Sequence, residues 1–211
     1  MEQRKIAFIG GGNMARSLIS GLINAGHPAQ LIHVTDLDQD KLSELAEQFG
    51  VQTSMDNALA AQQADVLVLA VKPQYMAEML TALTTTLGDY QHKLVISIAA
   101  GISVARLSAL LGGHGNIVRT MPNTPALIGL GMTGLFAAPA VSLADCDFAE
   151  QMLQAVGKTV WVGNESGINS VIAASGSAPA YFFLFMQLIA EEAERMGFSA
   201  EQARLLVQQT A

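Results

Sequence analysis

The sequence predicts an α/β protein with a doubly wound parallel sheet, followed by a region that contains only helices. Short apolar runs alternate with segments of helical spacing from residue 5 to residue 120. The run at 66–71 is apolar without alternation, as in a parallel strand that is covered on both faces. Beyond residue 163 only helical spacing remains. We therefore expect two domains, residues 1–163 and residues 164–211.

The composition limits the classes of protein to which the chain can belong. Its 211 residues are 51% hydrophobic and 14% charged, which is enough apolar material for a large core. A net charge of −7 with scattered Lys and Arg argues against a nucleic-acid surface, which needs clustered positive charge. The single cysteine, Cys146, lies between Asp145 and Asp147, which disfavour a reactive thiolate.

The first predicted strand, 5–9, leads through a glycine-rich turn into a helix at 16–25. Strand, glycine turn and helix is the order that binds a dinucleotide pyrophosphate. Gly10 permits the tight turn, Gly12 lets the backbone approach the phosphates, and small Ala15 lets the helix pack on the strand. Glycine clusters also form ordinary turns, but the flanking elements favour a nucleotide site. The candidate cofactor residues here are Ile9, Gly10, Gly11, Gly12, Asn13, Met14 and Ala15.

A strand at 31–35, a helix at 38–49 and a short strand at 51–53 follow. The second strand ends at Thr35 and Asp36, which are both candidate cofactor residues. An acidic residue there accepts a hydrogen bond from the ribose 2′-hydroxyl of NAD and repels a 2′-phosphate, so Asp36 favours NADH over NADPH. It lies 24 positions after Gly12, close to the separation of about 20 in the dinucleotide fingerprint. Asn57 is either a helix-start residue or a contact on the adenine side.

The alternation continues with strands at 65–71, 94–99 and 116–120 and helices at 74–87 and 103–111. Edge strands at 132–137 and 159–162 flank a helix at 143–155. The carboxyl ends of parallel strands share one edge of a sheet, so five strand ends should meet at one crevice. Lys72 is either a solvated lysine or a cofactor contact there. The further candidate cofactor residues at these ends are Ala70, Val71, Lys72, Pro73 and Ala100.

Two segments are candidates for binding a substrate. Asn123 lies between two prolines at a strand end, which would hold its side chain near a nicotinamide, although a rigid structural turn needs the same residues. Ser175, Gly176 and Ser177 join predicted helices at 168–174 and 178–196. A helix N-terminus there can accept a carboxylate, whereas a close helix crossing would also require small residues.

Neither a metal site nor an acid/base pair is predicted. His27, His33, His92 and His114 lack metal-ligand spacing, and the glutamates at 191, 192 and 194 suit a solvated helix end. No catalytic residue is therefore assigned.

The helix at 178–196 is apolar on every side over residues 181–186, so it must be covered all round. We expect a second copy to cover it, in a homodimer or larger homo-oligomer; burial against the first domain is the alternative. The apolar stretch 180–190 contains Gln187 and is shorter than the roughly 18 residues of a membrane span. The N-terminal apolar run stops at Gly10, unlike a signal peptide. We therefore expect a cytoplasmic protein without a membrane partner.

With these motifs in view, the whole chain resembles pyrroline-5-carboxylate reductases. The glycine turn is a generic feature. The more specific features, in this order, are the segments 97–101 (Ser-Ile-Ala-Ala-Gly), 121–126 (Met-Pro-Asn-Thr-Pro-Ala) and 175–181 (Ser-Gly-Ser-Ala-Pro-Ala-Tyr).

The resemblance implies a Rossmann-type domain, a helical dimerisation domain, and hydride transfer from NADPH or NADH to 1-pyrroline-5-carboxylate, giving L-proline. It also implies that 10–15, Asn57, 70–73 and Ala100 line the cofactor site. A cyclic imine takes up a proton readily, so positioning against the cofactor supplies most of the catalysis. The family continues into a loop rich in Pro, Gly and Thr, and the chain ends at Ala211 without a capping signal. We therefore expect it to be truncated on the substrate side.

Two other functions are alternatives to this reductase activity. β-Hydroxyacid dehydrogenases share the glycine turn, but they resemble one another in a catalytic lysine that the helix at 168–174 lacks. A nucleotide-sensing module without enzymatic activity has no supporting partner surface beyond the apolar helix.

Overall fold

The computed structural model describes residues 2–87 and 90–211. The strands are β1 (Ile6–Ile9), β2 (Ile32–Thr35), β3 (Gln52–Ser54), β4 (Val66–Leu69), β5 (Leu94–Ser97), β6 (Ile117–Met121), β7 (Gly131–Ala137) and β8 (Gly157–Trp161). The helices are α1 (Asn13–Asn24), α2 (Gln39–Phe49), α3 (Asn57–Gln63), α4 (Met76–Thr86), α5 (Val104–Leu110), α6 (Leu143–Gln154), α7 (Gly167–Val171), α8 (Ala178–Arg195) and α9 (Ala200–Thr210). Short 3-10 turns lie at Ala29–Leu31, Pro73–Tyr75 and Thr124–Ile128.

All eight strands form one sheet in the order β3-β2-β1-β4-β5-β6-β7-β8. Strands β1 to β6 are parallel, which confirms the doubly wound α/β prediction and brings their carboxyl ends to one edge. Strand β7 pairs antiparallel with β6, and β8 is parallel to β7. The two predicted edge strands therefore exist, but they run opposite to the rest of the sheet.

The continuous apolar runs arise because both faces of the sheet are covered. In β1, Ile6 and Phe8 contribute to the hydrophobic core on one face, whereas Ala7 and Ile9 contribute to the core on the other. All four residues of this strand are buried, as are all four of β4. Side chains in a strand alternate between faces, so a strand covered on both sides needs apolar residues at every position.

The sequence left open whether a helix starts at Asn57, and α3 shows that one does. The side chain of Asp56 accepts hydrogen bonds from the N–H groups of Ala58 and Leu59, at 2.9 and 3.0 Å, so Asp56 is the cap. At seven residues the helix is too short to show a clear periodicity.

The two predicted helices do meet at residues 175–177, where α8 begins, but their junction is helical rather than a break. A continuous helix runs from Gly167 to Arg195, with a π-helical turn at Ile172–Gly176 between α7 and α8. The Ser177 N–H donates to the carbonyl of Ile172 at 2.9 Å, which is the wider spacing of a π-turn. Pro179 lacks an N–H and cannot bond the carbonyl of Ser175 four residues earlier. The π-turn accommodates this proline without ending the helix.

Helix α8 has no buried residue, and seven of its large apolar residues are 44 to 67% exposed. They are Tyr181, Phe182, Phe183, Leu184, Phe185, Leu188 and Ile189. The helix Gly167–Arg195 is long and apolar enough, by length and composition, to cross a membrane. A helix that is covered by a second chain meets the same criterion, so these two properties alone do not assign it to a membrane.

Three histidines should make the fold sensitive to mild acid. Burial lowers the pKa of His27, His33 and His114 from the ordinary value. The unfolded chain takes up protons at these positions below about pH 6.5, whereas the folded chain does so only at lower pH. Stability is therefore complete above that pH, and we expect the free energy of unfolding in urea to fall as the pH drops from 7.5 to about 5.5.

A variant separates this effect from other titrations. His114 is fully buried, so His114→Leu should reduce the slope of the unfolding free energy against pH. Equal slopes for wild type and His114→Leu would rule out this origin of the acid sensitivity.

Candidate functional site

The glycine turn fits between the ends of β2 and β4. Gly10 has φ +106°, a conformation that favours glycine, and an added Cβ would lie 2.8 Å from the carbonyl carbon and oxygen of Ala70. Its N–H donates to the carbonyl of Thr35 at 2.8 Å. At Gly12, by contrast, an added Cβ would have no described protein atom within 4 Å. The backbone at Gly12 is therefore open to a ligand.

Helix α1 starts directly at this opening. Gly12 is its N-cap residue, and no side chain of the described residues caps the helix. The N–H groups of a first helical turn have no partners within the helix, so here they remain available to an anion. Ala15 is buried in the core, as its small size requires at the crossing of helix and strand. This geometry suits the pyrophosphate of a dinucleotide.

The carboxylate of Asp36 ties the glycine turn to the end of β2. Its Oδ2 accepts from the Gly11 N–H at 2.8 Å, and its Oδ1 accepts from Lys41 Nζ at 2.9 Å and from the Asp38 N–H at 3.1 Å. Burial alone would raise the pKa of Asp36, but the bonds from Gly11 and Lys41 outweigh it and lower the pKa. Asp36 is thus an ionised anchor as well as a candidate ribose contact. Lys41 was not predicted for this site.

Asn57 is fixed at the same strand end. The buried Thr35 hydroxyl donates to Asn57 Oδ1 at 2.6 Å. Asn57 is also the first residue of α3, so it does occupy a helix start. Its contact with an adenine stays a prediction.

The ends of β4 and β5 complete the edge. Ala70 is half-buried beside Gly10, and its N–H donates to the carbonyl of Ile9 at 2.9 Å. Lys72 and Pro73 are exposed, and Pro73 opens a 3-10 turn. Ala100 is exposed beyond β5. The sheet order thus gathers these predicted cofactor residues at the edge that carries the glycine turn.

Asn123 links the sheet to the helical region. Its Nδ2 donates to the carbonyl oxygen of Ser175 at 3.2 Å and to Ser175 Oγ at 3.1 Å, while its Oδ1 accepts from the Met132 N–H at 2.8 Å. The Ser175 carbonyl is the group that Pro179 leaves without a helical partner. Asn123 and Ser175, both predicted for substrate, therefore lie together. Ser177 is the N-cap residue of α8, so a helix does start there, but the Ser177 N–H is bonded within the π-turn and is not available to a carboxylate.

Asn123→Asp should lower the free energy of unfolding by about 2–4 kcal/mol. Aspartate still accepts from Met132, but it cannot donate to the carbonyl or the hydroxyl of Ser175, and it places a negative charge beside both. Ser175→Ala removes only the hydroxyl acceptor and should cost about 1 kcal/mol. Urea unfolding measures both variants. An Asp variant as stable as Ser175→Ala would contradict this role of the amide donor.

Glu165 joins the helical region to the sheet in a second place. Its Oε1 accepts from the buried guanidinium of Arg119 on β6 and from the Val104 N–H at the start of α5, each at 2.7 Å. Glu165 was missed by the sequence analysis. The available signal was Arg119 itself, because a charged residue within an apolar strand needs a partner when it is buried.

Within the part of the chain that the structure describes, the other ionisable side chains do not form a metal site or a reactive thiol. Across residues 2–87 and 90–211, no group of three or more His, Cys, Asp or Glu side chains is placed to hold a metal ion. Burial, and then Asp145, Asp147 and Glu150, raise the pKa of the Cys146 thiol. A raised pKa disfavours the reactive thiolate.

Two family models match the chain. Residues 5–101 match a family described as NADP oxidoreductase coenzyme F420-dependent, and residues 165–211 match pyrroline-5-carboxylate reductase dimerisation. A pyrroline-5-carboxylate reductase of Vibrio alginolyticus is 54% identical over all of this chain and 77% of its own length. One from Pseudomonas aeruginosa is 47% identical over all of this chain and 76% of its own length.

Solved structures agree with these matches. A pyrroline-5-carboxylate reductase of Coxiella burnetii superposes with a TM-score of 0.93 at 43% identity, over 99% of this chain and 77% of that one. A pyrroline carboxylate reductase of Plasmodium falciparum with NADP bound gives 0.87 at 27%, over 100% and 76%. A 3-hydroxyisobutyrate dehydrogenase of Mycobacterium tuberculosis, at 22% identity and 0.63 over 100% and 71%, shares the fold alone.

Proposed function

Because the chain belongs to the pyrroline-5-carboxylate reductase family, we propose that it reduces 1-pyrroline-5-carboxylate to L-proline with NADH or NADPH, the last step of proline synthesis. The observation that carries the proposal is the single edge at which the open glycine turn, Asp36 and the Asn123–Ser175 pair all lie. The rival β-hydroxyacid dehydrogenase and nucleotide-sensor functions are not favoured.

The residues at this edge fit a nicotinamide dinucleotide. A side chain at Gly10 would collide with Ala70, whereas the space above Gly12 is free, which suits a phosphate in contact with the backbone. The uncapped N-terminus of α1 would hold the pyrophosphate. Asp36 would contact the ribose, and Asn57 would contact the adenine side. The segments at 70–73 and Ala100 would line the remainder of the cofactor site.

The chemistry requires a bound hydride donor and a positioned imine. When bound, the reduced nicotinamide supplies the hydride. The imine nitrogen takes a proton, which makes the neighbouring ring carbon electrophilic, and the hydride adds to that carbon to give the secondary amine of proline. We propose that Asn123, Ser175, Gly176 and Ser177 position the substrate, with the Ser175 hydroxyl free to donate to its carboxylate. Positioning then lowers the barrier without a dedicated protein acid.

We further propose a boundary between dinucleotide-binding and helical domains at residues 163 and 164, a homodimer or larger homo-oligomer through helix 178–196, and a cytoplasmic location. The matching dimerisation family and the exposed apolar face of α8 support the oligomer. For the cofactor, Asp36 favours NADH, because a carboxylate accepts from a 2′-hydroxyl.

Loss of reduced-nicotinamide absorbance on mixing the purified protein with NADH or NADPH and pyrroline-5-carboxylate tests the activity. We expect turnover that saturates with the imine. Unsubstituted 1-pyrroline serves as the control, because it has the imine but no carboxylate, and it should react with a much higher KM. Unchanged absorbance at saturating pyrroline-5-carboxylate, with cofactor binding confirmed separately, would overturn the proposed reaction.

A further inference from the structure

We propose that Lys41 binds the 2′-phosphate of NADPH and thereby offsets the preference for NADH that Asp36 would otherwise impose. This specificity role rests on the proposed function, because it concerns the ribose end of the same cofactor. Three features of the structure support it: the position of Lys41, the charge balance around Asp36, and the exposure of the lysine side chain.

Lys41 lies at the place where the ribose is expected. Asp36 follows β2, next to the strand that leads into the glycine turn, and a dinucleotide ribose binds at that position. The ammonium of Lys41 is 2.9 Å from Asp36 Oδ1. A Cβ added to Gly11 would lie 3.5 Å from both Lys41 Cδ and Asp36 Oδ2. The lysine stem therefore lies against the glycine turn, with its charge on the ribose side.

Neighbouring groups compensate the negative charge of Asp36. An unpaired aspartate at this strand end repels a 2′-phosphate. Here the ammonium of Lys41 and the N–H groups of Gly11 and Asp38 already compensate the carboxylate. If Lys41 turns to a phosphate, the two N–H bonds to Asp36 remain. The repulsion that would exclude NADPH is therefore reduced in this chain.

The side chain of Lys41 is also exposed enough to move its ammonium from Asp36 to a phosphate. Its side chain is 35% exposed, so the ammonium keeps contact with water, whereas that of Asp36 is only 16% exposed. A lysine on a flexible stem contacts phosphate as a point charge and needs no fixed geometry. Other cations nearby are directed elsewhere. Arg16 pairs with Glu44 at 2.8 Å, and Lys72 follows β4 on the far side of β1.

Calorimetric titration with two small probes tests the proposal without turnover. Adenosine 2′,5′-bisphosphate and 5′-AMP differ only in the 2′-phosphate. Lys41→Met should weaken binding of the bisphosphate about 10-fold or more, while the affinity for 5′-AMP changes less than about twofold. Lys41→Arg keeps the positive charge and should retain most of the bisphosphate affinity. Added salt should weaken the bisphosphate preferentially in the wild type.

Lys158→Met is the matched control, because Lys158 is an exposed lysine on β8, at the other end of the sheet. It removes the same charge and should change neither affinity. Equal weakening of both probes by Lys41→Met would show that Lys41 only clamps Asp36 and would overturn the proposal, as would no weakening. If the wild type binds neither probe nor dinucleotide, the proposed cofactor site fails as well. Binding of 5′-AMP without an effect of Lys41 would leave that site intact.

Discussion

Gly12→Val is expected to yield a folded protein whose affinity for NADH and NADPH is about 10- to 100-fold lower than that of the wild type. The φ of Gly12 is −70°, which any residue adopts, and no described atom lies within 4 Å of an added Cβ. A valine there therefore costs the fold little. It does cover the first-turn N–H groups of α1, which would otherwise bond a pyrophosphate oxygen at close range.

Gly10→Ala provides the matched comparison, because both substitutions change the same turn. At Gly10 the positive φ and the contact at 2.8 Å with the Ala70 backbone make any side chain strained. We expect this variant to lose about 2–4 kcal/mol of stability together with cofactor binding. Thermal unfolding and cofactor fluorescence separate the two outcomes. A Gly12→Val protein that binds cofactor like the wild type would refute the assignment of this opening to the pyrophosphate.

The double substitution Phe182→Glu and Phe185→Glu is expected to convert the proposed oligomer to monomers. The two rings lie one helical turn apart on α8 and are 67 and 65% exposed. Burying a Phe side chain contributes about 1.5–3 kcal/mol, and a two-fold interface contains each position twice. The substitution therefore removes roughly 6–12 kcal/mol and adds four charges that would need burial.

Sedimentation at micromolar concentration measures the result directly. The Tm of the wild type should rise with protein concentration, and that dependence should vanish in the variant. Leu143→Glu is the control, because Leu143 is an equally apolar and even more exposed residue on α6, outside the helical region. The Leu143→Glu protein should remain oligomeric. A double variant that sediments like the wild type would show that α8 is not the interface.

The parts of this fold that the sequence predicted well are those specified by neighbouring residues. The apolar run of β4 indicates a strand that is buried on both faces, because such a strand needs apolar residues throughout. The glycines after β1 indicate a tight turn, because that turn requires glycine. The orientation of β7 could not be read in the same way. The residues of β7 suit a parallel or an antiparallel neighbour equally well. The direction of the strand is therefore set only by its pairing with β6.

The errors occurred where distant residues replace a local interaction. Ser-Gly-Ser-Ala-Pro indicates a helix break locally, since proline removes a helical hydrogen bond. In the structure Asn123, 52 residues earlier in the chain, supplies a donor to the freed carbonyl of Ser175, and the helix continues. Lys41 was missed for a related reason. It is an ordinary residue of the first turn of α2 until the fold brings its ammonium to Asp36.

The reversal of the last two strands determines the path of the chain afterwards. Trp161 ends β8 beside Leu135, which pairs with Thr120, so the chain leaves the sheet below the ligand edge. The helix that starts at Gly167 then runs back towards the ligand edge. Its eight residues to Ser175 span ~12 Å, which is close to the ~13 Å from Arg119 to Asn123 along β6. The bare apolar surface begins six residues later, ~9 Å further along the same helix. One helical segment thus carries both the contact at the ligand edge and the exposed apolar surface that we propose as the oligomer interface.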